Sequence, residues 1–500
     1  MKLITLIFIQ ILLLNIHGWK IFHRGRENGG NIGAPYDPNY KSNTKFVQEE
    51  WFVQRLDHFN PTDLRVWKQR YFTNDQFYKR SSNGPVFLMI GGEGNASPSW
   101  MTRGTWIDYA IRFKALCFQL EHRYYGQSHP TEDLSTKNLQ YLTSQQALAD
   151  LAAFIMSKNE QYGFSSNVKW IVFGGSYPGS LAAWMRLKYP HLVHGAMSAS
   201  GPLLAQVDFQ DYYRIVEESL KTSSDQCLAM VKEGTVQVNI FLNHTVGYKA
   251  LDTMFNLCDP IEKSINNPND ISNFHLTLAE NIAGVVQYNN DNRIGGNQKV
   301  KNITIASICD IMTDDDVGAP IDKLAAVNSL ILNAYNQTCL DYRYDKMIKE
   351  LSNNTWSAEV SEGGRQWMYQ TCTEFGFFQS SSYQPQVFGK NFPVNFYIQQ
   401  CVDVFGTKYN SKFIDNNVQH TNTFYGALDI DVSNVVFVHG SIDPWHALGI
   451  TKTREQRAPA IYIEGTAHCA NMYPKSDKDL PQLKAAREEI AEHIDTWIRL

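Results

Sequence analysis

The chain has 500 residues, 43% of them hydrophobic, and a formal charge of −5 from 45 basic and 50 acidic side chains. That length can fill a large core, as one big domain with an insertion or as two domains. The balanced charge, with no basic stripe, argues against nucleic acid as a partner and against a polybasic membrane-surface patch.

Lys2 precedes an apolar run from Leu3 to Leu14 that ends near the small residue Gly18. This is the anatomy of a secretory signal peptide over 1–18, too short to span a bilayer comfortably. A membrane anchor or a buried first helix is the competing reading. It is disfavoured by the polar stretch from Trp19 to Lys45, rich in glycine and asparagine. No other run reaches spanning length, so no membrane partner is expected for the mature chain.

From about 50 to 205, strand-like and helix-like segments alternate. QRYFTN, PVFLMIGGEG and ALCFQLEHRYYG read as strands. Leu142 to Ser157 follows with a helical stripe of Leu148, Leu151, Phe154 and Ile155, opened by a Thr143/Gln146 capping box. VKWIVFGG is the next strand, and PGSLAAWMRLKYP a helix that begins near Pro178 and stops at Pro190. This succession predicts a parallel α/β sheet. From 206 to 420 the chain is rich in Asn, Asp, Ser and Tyr and shows helical stretches without regular strands. Alternation returns over 421–500, where NVVFVHG and AIYIEG read as strands. Leu483, Ala486, Ile490, Ile494 and Trp497 share one face of a closing helix. The economical architecture is an α/β core, 50–205 and 421–500, interrupted by a mainly helical insertion.

Six of the eight cysteines lie between Cys227 and Cys401, and none forms a C-x-x-C zinc pair. That suits disulfides in an exported region, with a pairing that spacing alone leaves open. Cys117 reads equally as a buried thiol or a bridge partner. Five N-x-[ST] sequons, at Asn95, Asn243, Asn302, Asn336 and Asn353, agree with export. Asn95 is the weakest, because Pro98 follows its serine.

The segment IVFGGSYPGS, 171–180, ends a β-branched and aromatic run in two glycines and Ser176. It meets the nucleophile-elbow pattern G-x-S-x-G except that Pro178 stands at the second glycine. A serine hydroxyl becomes a useful nucleophile only beside a base, with an acid behind that base and donors for the oxyanion. Asp443 in SIDPW follows NVVFVHG, and His468 in TAHC follows AIYIEG. Ser, Asp and His therefore come in the order of α/β-hydrolases, each after a predicted strand, at the end where open α/β sheets bind ligands. Pro178 is tolerable in a first helical turn and leaves the Tyr177 N–H as an oxyanion donor. A second donor is expected from GGEG, at Gly92 or Glu93. Taken singly these signals are weak. Gly-Gly-Ser is usually a turn, Asp443 could merely form a turn before Pro444, and His439 or His446 could be the base. His439, however, lies inside the strand, and His446 directly follows the Asp-Pro-Trp turn.

RLDHFN (55–60), LEHRYYGQS (120–128), GGSYPGSLAAWMRLKYP (174–190), YQTCTEFGFF (369–378), GSIDPWHALG (440–449) and GTAHCANMYP (465–474) carry a resemblance across most of the chain. It is similar to the serine peptidase family that includes lysosomal Pro-X carboxypeptidase, dipeptidyl peptidase II and thymus-specific serine protease, and most of all to the thymus-specific type. The resemblance implies Ser176 as nucleophile, Asp443 as orienting acid, His468 as general base, and an α/β-hydrolase core under a disulfide-bearing cap. It implies no cofactor and no metal, peptide substrates, and a secreted or endosomal/lysosomal location; it leaves a homodimer open. The family's proline pocket would draw on Trp445 and on the segment after Cys-Thr-Glu, here Phe375-Gly376-Phe377-Phe378. Ser180, four past the nucleophile, is small, so the pocket is altered and cleavage after proline is only the default. Glu374, if it faces the cleft, would pair with a substrate amino terminus; a structural ion pair near Cys372 is the alternative. The function expected is a serine exopeptidase acting on short peptides through an acyl-enzyme, as a carboxypeptidase or an aminodipeptidase. An esterase or lipase on the same fold and a non-catalytic, hydrolase-like binding protein are its rivals.

Overall fold

Alternate residues of each central strand point to opposite faces of one sheet, and both faces are buried. Val86, Leu88 and Ile90 enter one apolar cluster while Phe87 and Met89 enter the other. Such two-sided burial is the physical reason these strands read as unbroken apolar runs. The computed structural model describes residues 32–36, 39, 44–78, 84–290 and 302–500. The expected signal peptide lies outside them.

The strands are β1 (Val47–Arg55), β2 (Val66–Asn74), β3 (Val86–Ile90), β4 (Leu116–Leu120), β5 (Trp170–Gly175), β6 (Gly195–Ala199), β7 (Gln206–Asp208), β8 (Gly376–Phe378), β9 (Val435–Gly440) and β10 (Ala460–Ile463). Eight of them form one sheet in the order β1-β2-β4-β3-β5-β6-β9-β10. β2 runs antiparallel to β1 and β4. All other neighbours in the sheet are parallel. Helix α1 (Thr105–Phe113) covers one face, and α2 (Ser144–Tyr162) and α3 (Tyr177–Lys188) the other.

Between β6 and β9 the chain leaves the sheet. It forms α4 (Asp211–Lys221), α5 (Asp225–Leu242), α6 (Thr245–Met254), α7 (Pro268–Gln287), α8 (Ile305–Thr313), α9 (Pro320–Ala334), α10 (Tyr344–Leu351), α11 (Gly364–Gln370), α12 (Val394–Phe405) and α13 (Ser411–Tyr425). The stretch is not free of strands: β7 and β8 pair in parallel at its base, a local pairing too short for a sequence pattern to reveal. Disulfides join Cys227 to Cys309, Cys258 to Cys339 and Cys372 to Cys401, all within the insertion. Cys117 and Cys469 are buried free thiols. Helix α14 (Pro481–Arg499) returns to the face covered by α1. Among the described residues no helix is long and apolar enough to cross a membrane.

The start of α2 departs from the expected capping box. Thr143 Oγ1 does accept the Gln146 N–H at 3.1 Å. The Gln146 side chain does not return to Thr143. Its Oε1 accepts the His58 N–H at 3.0 Å and its Nε2 donates to Asp57 at 2.6 Å, tying down the loop after β1.

Candidate active site

Strand β5 ends in two glycines because nothing larger fits. A Cβ on Gly174 would lie 2.0 Å from the Pro178 carbonyl oxygen, and one on Gly175 would lie 2.1 Å from Met472 Sδ. Ser176 then turns the chain with φ +65° and ψ −135°. A side-chain-bearing residue adopts that left-handed region at a cost of about 1–3 kcal/mol. Two main-chain bonds hold the turn: Ser176 N donates to Ala199 O at 2.9 Å, and Gly179 N donates to Ser176 O at 2.8 Å. Gly179 also resolves the irregular motif. A Cβ there would sit 2.6 Å from Ala199 O, so the glycine needed for close approach of α3 to the sheet stands one position later than usual.

Asp443 follows β9 and is fully buried. Its Oδ1 accepts the Trp445 N–H at 3.0 Å and the Nδ1–H of His468 at 2.9 Å. With Nδ1 protonated toward a carboxylate, Nε2 is the basic nitrogen of the imidazole. The His468 loop after β10 is pinned on two sides: His468 N donates to Gln287 O at 3.0 Å, and Cys469 N to Ser200 Oγ at 2.9 Å. Burial opposes a charge on His468, but the Asp443 carboxylate outweighs it and lifts the imidazole above its ordinary value. Burial likewise raises Asp443, and His468 more than offsets it, so that carboxyl is held low. Ser176, Asp443 and His468 thus stand at the carboxyl ends of β5, β9 and β10. Gly175 lies against Cys469, with 3.0 Å from its would-be Cβ to the sulfur, which brings the flanks of Ser176 and His468 together.

The other histidines near Asp443 sit differently. His439 is buried in β9, and neither ring nitrogen has a hydrogen-bond partner among the described residues. Burial holds it down at about 4, so it is neutral and packs as a core residue. His446 Nδ1 lies 3.3 Å from the Gly440 carbonyl oxygen.

The Tyr177 N–H opens α3, where no intrahelical acceptor exists. Gly92 reaches the same turn, since a Cβ on it would lie 2.3 Å from Pro178 Cγ. Glu121 organises the loop that carries Gly92. It accepts from Ala96 N at 3.0 Å and Arg70 Nη2 at 2.7 Å, and from Gln127 N at 3.0 Å and Ser128 Oγ at 2.7 Å. The Tyr177 side chain is fastened as well. Its hydroxyl bonds His122 Nε2 at 3.1 Å and accepts from Gln370 Nε2 at 3.1 Å, while Tyr125 OH donates to Gln370 Oε1 at 2.7 Å.

Trp445 stands 6.4 Å from His468 and 5.5 Å from Phe377, ring centre to ring centre. Its indole N–H donates to Gln287 Oε1 at 3.0 Å. Phe377 has φ +60° and stacks on Phe375 at 5.4 Å. Among the described residues the Glu374 carboxylate is engaged by no ion pair near Cys372. It accepts from Ser144 N at 3.0 Å and Ser144 Oγ at 2.7 Å, capping α2 from the insertion. Burial pushes it up to about 7, against the pull of the Ser144 bonds. Asn95, Asn243, Asn302, Asn336 and Asn353 are all exposed, and Asn95 accepts a hydrogen bond from Arg70. Among the described residues no cluster of acidic, histidine and cysteine side chains could hold a metal.

Sequence reasoning missed Gln287, Gln370, His122 and Glu121. His122 and Glu121 lie in the quoted LEHRYYGQS stretch and Gln370 in the quoted YQTCTEFGFF, whereas Gln287 sits at a helix end and carries no local signal.

The family described as serine carboxypeptidase S28 matches residues 54–490. A Caenorhabditis elegans relative named as a serine protease is 37% identical over 95% of this chain and 93% of its own. Thymus-specific serine protease of Mus musculus is 34% identical over 90% of this chain and 88% of its own. Lysosomal Pro-X carboxypeptidase of Homo sapiens is 28% identical over 94% of this chain and 92% of its own.

Proposed function

Because this chain belongs to the serine carboxypeptidase S28 family, we propose that it hydrolyses short peptides from one end, with Ser176, Asp443 and His468 as its catalytic triad. It is a serine-type peptidase; the residue roles and the exopeptidase restriction are the proposal. One observation carries the roles: the buried His468–Asp443 bond of 2.9 Å at strand ends next to the strained turn of Ser176.

In this reading His468 Nε2 takes the Ser176 hydroxyl proton as Oγ attacks the scissile carbonyl. Asp443 stabilises the imidazolium that forms. The Tyr177 N–H and a loop N–H at Gly92 receive the oxyanion. The tetrahedral intermediate collapses, the amine leaves with the proton from His468, and an acyl-Ser176 ester remains. Water, deprotonated by the same nitrogen, then releases the acid. Residues 206–420 act as a cap over the core segments 50–205 and 421–500, roofing the cleft against folded proteins. Trp445 and Phe377 line the acyl side, and a post-proline preference follows by analogy with the Pro-X relative. Export through the 1–18 signal, glycosylation at the exposed sequons and the three disulfides fit a secreted or lysosomal enzyme.

The test is labelling by a fluorophosphonate, together with the product profile from free and doubly blocked peptides. Labelling that Ser176→Ala abolishes, with cleavage near one free end, is the expected result. An unlabelled wild type would overturn the serine assignment. Equal internal cleavage of both peptides would overturn the exopeptidase reading. Activity on short esters with none on peptides would favour the esterase alternative.

A further inference from the structure

Two buried carboxamides face one cavity beside the proposed triad. Gln379 and Gln400 are each 4% exposed. Among the described residues neither side-chain amide nitrogen has a hydrogen-bond partner. Both line a cavity of about 50 Å³ together with Glu280, Trp367, Phe377 and Tyr397. A buried amide left unpaired costs about 1–3 kcal/mol, and native interiors keep few of them. Leucine at either position would fill the wall without that cost. Two such groups on one cavity therefore point to a polar occupant.

The cavity adjoins the reacting groups. Phe377 separates it from Trp445, which stands against His468, and Trp367 meets Tyr177 at 5.6 Å. Helix α7 connects the two places. Glu280 and Gln287 are two turns apart on one face, roughly 10 Å along the axis. The positions between them on that face are Ala283 and Gly284, which occupy little space.

The chemistry of the wall selects among occupants. A carboxamide both donates and accepts, and two glutamine amides, free to exchange O for N by rotation, can answer both. An aliphatic side chain would leave both glutamines unsatisfied. A carboxylate would enter beside the Glu280 carboxylate. The volume admits the end of one side chain or a few water molecules. Building on the peptidase reading above, we propose that this cavity is a specificity subsite for a neutral carboxamide side chain, glutamine or asparagine, of a short peptide.

The experiment measures kcat/KM for tripeptides in which each position in turn is Gln, Leu or Glu. It compares wild type, Gln379→Met and Gln400→Met, with active enzyme counted by fluorophosphonate labelling. The expected result is one position at which wild type prefers Gln over Leu and Glu by roughly tenfold or more. Both variants should lose that preference while keeping their labelling. Should the variants fail to fold, the wild-type library decides alone. A wild type that treats Gln and Leu alike at every position, or a preference that survives both substitutions, would overturn the subsite and leave the cavity to water. Failure of wild type to label would instead remove the peptidase reading, and this subsite with it.

Discussion

The main-chain N–H of His468 donates to the main-chain carbonyl of Gln287 across 3.0 Å. The proposed general base is thus held by the last residue of α7, 181 positions earlier, in the insertion. The Gln287 side chain fastens the same corner, accepting from Tyr212 OH at 2.7 Å and Trp445 Nε1 at 3.0 Å.

Gln287→Leu should therefore disturb catalysis from outside the triad. It removes the acceptor that Tyr212 OH and Trp445 Nε1 share, at a cost of about 1–3 kcal/mol in stability. Urea unfolding should show that loss, and kinetics should show a lower kcat with KM little changed. A variant as stable and active as wild type would show that the corner is not held this way.

Ser176→Ala should lose several orders of magnitude in activity, and His468→Ala should fall comparably, because triad members act as a unit. His446→Ala should stay near wild type. The two readings separate at once if His446→Ala proves the crippled variant.

Strain at Ser176 gives a second, activity-independent check. Glycine tolerates φ +65° and alanine does not. Ser176→Gly should consequently be more stable than Ser176→Ala by about 1 kcal/mol. Thermal melts of the two inactive proteins measure it; equal melting temperatures would mean an unstrained turn.

Tyr177→Phe should lower kcat by roughly tenfold while leaving KM nearly unchanged, the signature of a donor misplaced in the transition state. The lost hydroxyl frees both His122 and Gln370, which now fasten the residue bearing the proposed oxyanion N–H.

Glu374 sets a pH dependence of stability. Its folded-state value of about 7 lies above the ordinary 4.5, so the folded chain binds the proton more tightly. The contribution is fully present below pH 4.5 and is lost as pH rises through 7. The full span amounts to about 3 kcal/mol. Glu374→Gln, which keeps an acceptor for Ser144, should flatten this part of the stability profile in denaturant titrations between pH 4 and 8. An unchanged slope would show that the carboxyl titrates normally.

The legible parts of the fold share one property. β3, β4, β5 and β9 are buried on both faces, so their sequences are continuous apolar runs. β1 escaped notice because it is an edge strand whose exposed positions include Gln48 and Glu49. β6, GAMSA, escaped because its residues are small and carry little strand propensity. Ser176, Asp443 and His468 could be singled out because each directly follows a readable strand. The disulfide pairing, the work of Gln287 and the cap that Glu374 supplies to Ser144 depend on contacts between distant segments, which no local pattern encodes.

The position of β6 in the sheet has a consequence for synthesis. Its outer neighbour β9 begins at Val435, and Trp497, against which Gly195 must lie bare, follows later still. At ribosomal speeds of about 5–20 residues per second, β6 waits roughly ten to fifty seconds as an open edge. An apolar β-branched strand in that place would recruit another nascent chain. The run Gly-Ala-Met-Ser-Ala offers little side chain to zip against, so the same small residues that admit Trp497 at the end keep the unfinished sheet from sticking to its neighbours meanwhile.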